Sequence, residues 1–131
     1  LPNFIIKNVV PYFISKLDIV IPIANHFLET SEISKEDFKT LKDIILTICD
    51  MYPENRVFVA FDRARIENVK YTTKHSAIYY IRCKDYLTYM LQHIKHAEKY
   101  GEEKKADIKA KNTLYAVAAE HLFYFVKSEE K

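Results

Sequence analysis

"SKEDFKTLKDIILTIC", residues 34 to 49, carries the pattern from which an all-α chain follows. Phe38, Leu41, Ile44, Ile45 and Ile48 recur at steps of three and four, which gathers them on one face of a 3.6-residue helix. Ser34 with Asp37 three residues on resembles a capping box, in which the hydroxyl accepts from an otherwise unpaired N–H of the first turn. A helix with one apolar face needs a partner to cover it, so the flanking segments are expected to supply further helices.

Outward from that helix the same character persists. The chain has 131 residues, 49% apolar and 29% charged, enough for one folded domain with a modest core. A single glycine argues against turn-rich β architecture and removes glycine-rich phosphate loops from consideration. Three prolines sit where helices start: Pro11 before "YFISKLDIVI", Pro22 before "IANHFLET", and Pro53. The first thirty residues therefore read as two or three short helical pieces. Residues 57–61 fit a buried strand or a short buried helix, and the lack of hairpin chemistry favours helix. Residues 63–72 read as a basic loop, with a short irregular or hairpin element near 56–72 left open. A helical run begins at Thr73, Asp85 is placed to cap a second segment, and Gly101 stands where a left-handed C-cap belongs. The last helix, about 103 to 127, carries Leu114, Val117, Ala118, His121, Leu122 and Phe125 on one side. The fold class expected is one all-α domain over residues 1–131.

Charge is distributed unevenly. All four arginines lie between Arg56 and Arg82, while sixteen lysines are scattered. From Arg56 to Lys84 seven basic residues face only Asp62 and Glu67, a local charge of +5 that leaves −3 for the rest of a chain whose net is +2. A planar guanidinium matches phosphate oxygens in pairs, so Arg63, Arg65, Lys70, Lys74 and His75 form a candidate polyphosphate site. Docking of an acidic protein partner, or plain solvated charge, explains the same cluster. Tyr71, Tyr79, Tyr80, Tyr86 and Tyr89 interleave with Lys74, Arg82 and Lys84, the alternation by which proteins stack bases and neutralise backbone phosphates. Most of these tyrosines equally suit the edge of a core.

Catalytic and metal signatures are missing from the sequence. His93 and His96 stand three apart, and His121 or Cys83 would have to join them to complete a zinc site. Cys49 and Cys83 lie among apolar residues without CxxC pairing, which points to an intracellular, cytoplasmic protein and not to a disulfide scaffold. Lys7, Lys16, Asp18 and two prolines interrupt the most apolar stretch, so no membrane association is expected. The chain begins at Leu1 with no clear signal peptide, and its true start is left open.

"KYTTKHSA", residues 70–77, resembles the Tyr-x-x-(basic)-His segment in the C-terminal domain of the large subunit of archaeal and eukaryotic DNA primase. "ISKEDFKTLKDIILTICDMY" is similar to that domain's apolar-faced helix at about the family's spacing, and "LPNFIIKNVVPYFISK" loosely resembles its opening helix. The resemblance spans roughly residues 1 to 80. Two departures stand out: Lys35 and Phe38 occupy the family's His-x-x-Arg entry, and two cysteines cannot supply the four thiolates of the family's iron–sulfur cluster. The chain is thus most similar to the extra, cluster-free, noncatalytic primase subunit of some thermophilic archaea, with which its Lys- and Ile-rich composition is compatible.

The resemblance implies a noncatalytic role in primer synthesis without cofactor, beside separate catalytic and large primase subunits. The domain would hold a nucleoside triphosphate or the primer 5′-triphosphate end against a single-stranded DNA or RNA partner. Tyr71, Thr72, Lys74 and His75 match the family's nucleic-acid-contacting segment, whereas Arg63, Arg65 and Lys70 come from the charge argument alone. The alternative is a helical interaction subunit of a larger viral or defence assembly, with the basic patch docking a protein.

Overall fold

A computed structural model describes residues 1–52, 63–103 and 107–128. Every regular element among these residues is helical, so the fold is all-α. A π-helical turn, Ile5–Val9, runs into α1, Val10–Ser15; α2 is Leu17–Thr30, α3 Lys35–Asp50, α4 Arg63–Glu67, α5 Ala77–Glu103 and α6 Ile108–Lys127.

The helix anticipated from residues 34–49 forms with its cap in place: the Ser34 hydroxyl accepts from the Asp37 N–H at 3.1 Å. Phe38, Leu41, Ile44, Ile45 and Ile48 are all buried. At its N-terminal side the chain turns through Ser31, whose φ of 59° is left-handed and whose N–H reaches the Phe27 carbonyl at 2.7 Å. That conformation, expected at Gly101, is therefore taken by a serine. Gly101 lies inside α5 without positive φ, and the side chain of Lys111 crosses where a Cβ would stand, 2.8 Å from its Nζ.

Three other expectations need correction. Pro22 lies inside α2, and the break between α1 and α2 falls at Lys16, where φ −101° and ψ −2° interrupt the helical path. A proline mid-helix forfeits one backbone bond, which the buried face of Leu17, Val20, Ile23, Ala24 and Phe27 outweighs. Asp85 lies inside α5, which runs through it unbroken, 27 residues in all and about 40 Å at 1.5 Å per residue. Arg63–Glu67, expected as loop, is a turn and a half of helix, held down by fully buried Ile66. The run at 57–61, and with it Arg56, lies outside the described residues.

α6 is the hub, packing along α5 and touching α1, α3, α4 and the π-helical turn. Asp107 caps it, with Oδ1 accepting from the Ala110 N–H at 3.2 Å and Oδ2 accepting from the Tyr100 hydroxyl at 3.0 Å. The single stripe read from the sequence accounts for three of its seven buried residues. Ala118, Leu122 and Phe125 are buried as expected, while Leu114, Val117 and His121 are half-buried. Tyr115, Ala119, Phe123 and Val126 form a second buried stripe, which a helix packed on several sides requires. No helix among the described residues is long and apolar enough to cross a membrane.

Candidate functional site

Residues 68–76, between α4 and α5, carry most of the candidate residues and are fixed at several points. Lys42, half-buried on α3, donates from Nζ to the Glu67 carbonyl at 3.0 Å and the Val69 carbonyl at 2.7 Å. The Tyr71 hydroxyl donates to the Ile33 carbonyl at 3.0 Å, and its ring leans on Phe38 at 5.8 Å. The Thr72 hydroxyl accepts from the Lys74 N–H, and Ser76 caps α5 by accepting from the Tyr79 N–H, both at 3.1 Å. His75 lies flat on Tyr79, with ring centres 3.9 Å apart and planes 10° apart, and meets Tyr80 edge-on at 5.5 Å. Its Nδ1 is buried and finds no hydrogen-bond partner among the described residues.

This segment forms one wall of a cleft of about 380 Å³. Tyr71, Thr72 and His75 line it from one side; His26, in the last turns of α2, and Ser31 and Ser34, at the turn between α2 and α3, line it from another. Phe27 and Tyr80 also contribute, and Glu32 is its one carboxylate among the described residues. Lys70 and Lys74 are exposed on the same short segment. Lys70 borders a narrow crevice that continues from Tyr71, Thr72 and His75 to Tyr79 and Ser128. Beyond it opens a second cleft, of about 220 Å³, between the start of α5 and the end of α6.

The seven candidate residues do not all converge. Tyr71, Thr72 and His75 share the first cleft, with Lys70 and Lys74 next to them in the chain. Arg63 is instead bracketed by carboxylates of its own chain, ion-paired to Asp50 at the end of α3 and to Glu67 one turn along α4. Its guanidinium is thereby held even more firmly protonated than usual, chiefly through the bond to Asp50. A phosphate would have to displace two anions to reach it. Arg65 is exposed on the same helix and lines neither cleft. The sequence points to arginines because a guanidinium suits phosphate; it cannot show that Asp50, thirteen residues upstream, folds back onto Arg63. Lys42, and the part that the Ser31–Ser34 turn plays in the cleft, are not legible for the same reason, since their partners lie about 25–40 residues away along the chain.

The histidines of the zinc hypothesis are partly reunited. His93 and His121 stack with ring centres 5.4 Å apart at 10°, but Cys83 lies ten residues before His93 on the same helix, about 15 Å along its axis. Among the described residues no three His, Cys, Asp or Glu side chains converge as a metal site. Burial, reinforced by the charge of His93, holds the His121 imidazole below its ordinary pKa of 6.5. The folded state therefore prefers neutral His121, the unfolded chain takes up the proton first, and stability drops as pH falls below about 6.5. Melting curves between pH 7.5 and 5.5 are expected to show this loss, and His121→Gln to flatten it. An identical slope in the variant would assign the effect elsewhere.

The cysteines are inert by position. Cys49 and Cys83 are buried, and desolvation pushes the Cys83 thiol up to about 11. Comparison with protein-family models, curated proteins and solved structures yields no match for this chain.

Proposed function

We propose that this domain is a noncatalytic binder of nucleotides and single-stranded nucleic acid. From the primase-like segment at residues 71–75, its role is to hold an initiating nucleotide or a primer 5′-triphosphate end against a template beside separate catalytic and large subunits. The observation that carries this reading is the cleft wall formed by Tyr71, Thr72 and His75, with exposed Lys70 and Lys74 on the same segment. The Thr72 hydroxyl, which still has its proton to donate, and the His75 imidazole offer hydrogen bonds to sugar or phosphate, and the two lysines supply charge that no ion pair among the described residues takes up. Both lysines are exposed and carry their charge on a flexible four-carbon stem, which suits the backbone of a strand.

Lys70→Ala with Lys74→Ala tests this more sharply than arginine substitutions, because Arg63 already neutralises Asp50 and Glu67. Binding of a labelled single strand, with and without a 5′-triphosphate, is to be measured from low to physiological salt. Each cation that neutralises a phosphate of a single strand adds roughly 0.7 to the log–log salt slope, so the double variant is expected to show a slope shallower by about 1.4. A strand that fails to bind at low salt, or binds with the same slope to both proteins, overturns the proposal.

A further inference from the structure

We infer that the second cleft, between the first turns of α5 and the last turn of α6, is a docking site for an acidic, aliphatic segment of a partner protein. It is a different surface from the first cleft, with the His75–Tyr79 stack standing between the two, and it does not depend on the nucleic-acid proposal.

Its chemistry is divided between apolar and cationic groups. Ile78, which lines it, is 61% exposed, and Ile81, one turn along the same helix, is 60% exposed. Two bare isoleucines side by side on the outer face of a core helix mark a surface that gains by being covered. With Ile78, the cleft is lined by Arg82, from α5, and Lys127, from the end of α6. Arg82 makes no ion pair with the described residues, and no carboxylate lines the cleft among them. Asp85 lies on the next turn of α5 outside the lining, and in sequence Glu129 and Glu130 follow Ser128.

Charge complementarity selects an acidic occupant, and the exposed isoleucines beside the cations select an aliphatic peptide over nucleic acid. Tyr86 and Tyr124 stack on each other, 5.6 Å between centres at 28°, and Lys127 Nζ sits 5.9 Å above the Tyr124 ring. Each ring thus has one face turned to the other, and Lys127 stands over Tyr124 besides, so the pair serves as a wall of the cleft. Isoleucines offer no π-face to a base, but they fit leucine, isoleucine or phenylalanine of a partner whose flanking carboxylates reach Arg82 and Lys127.

A random dodecapeptide phage library selected on the whole chain, with R82E/K127E as counter-selection, tests this. Enriched peptides are expected to carry an acidic residue within one helical turn of a leucine, isoleucine or phenylalanine. A synthetic copy is expected to bind at least about tenfold more weakly to R82E/K127E and to Ile78→Ser, a factor that corresponds to removing one anchoring side chain. It should bind the Lys70→Ala, Lys74→Ala variant as it binds wild type. Helicity by circular dichroism checks each variant, and R82E alone serves if removing Lys127 from its aromatic neighbours unfolds the double variant. The inference is overturned if no peptide discriminates, or if the discriminating peptides lack acidic residues. It is also overturned if R82E/K127E abolishes single-strand binding while no peptide is enriched, which would give this cleft to the nucleic acid.

Discussion

Phe125→Ala is expected to remove about 3–5 kcal/mol of stability, a large share of the roughly 5–15 kcal/mol typical of a domain. Phe125 is fully buried on α6, and its ring meets Phe27 of α2 edge-on at 5.2 Å and 66°. Phe27 in turn rests against Tyr80 of α5 at 6.2 Å, so one aromatic cluster ties three helices together. Truncation leaves a void that helices already packed on other sides cannot close, which places the cost at the upper end of large-to-small substitutions. Phe27 and Tyr80 also line the first cleft, so the same change is expected to weaken any ligand held there. Urea unfolding followed by circular dichroism measures the stability change. A drop under roughly 1 kcal/mol, the size of a mild core change, would show that the cluster is not what joins α2 to the α5–α6 pair.

Lys42→Met is expected to cost about 1.5 kcal/mol, the lower end for hydrogen bonds to a charged group, because the side chain is only half-buried. Its more telling effect is local. Lys42 Nζ satisfies two carbonyls at the exit of α4, and methionine preserves the stem while removing the donor. Amides of residues 68–76 are then expected to exchange faster with solvent, and affinity for a single strand to fall although Lys42 lines neither cleft. Unchanged exchange in that segment would mean that its other anchors, the Tyr71–Ile33 bond among them, suffice to hold it in place.

Most of the helical content is legible in the sequence because short-range patterns dominate it. The 3–4 spacing from Phe38 to Ile48 and the Ser34 cap are local features, and both are in the structure. The misreadings arise where a local signal meets a competing long-range one. Pro22 reads as a helix start, yet burial of Val20, Ile23, Ala24 and Phe27 carries α2 straight through it. Asp85 reads as a cap, but packing along α6 keeps α5 continuous past it. Arg63 reads as a free cation until α3 delivers Asp50 to it.

Periodicity, capping and charge act over a few residues, and they are enough to dictate the all-α class and the buried face of α3, while charge marks only the wider stretch from Arg63 to His75 as a place to look for a site. Which cations stand beside a cleft, and which are consumed in ion pairs, is settled by the fold. So is the support that Lys42 and the turn at Ser31–Ser34 lend the site from across the chain. Whether a charge is available for a ligand depends on what lies within a few ångströms of it. That distance is set by the packing of α3, α5 and α6 and not by spacing along the chain.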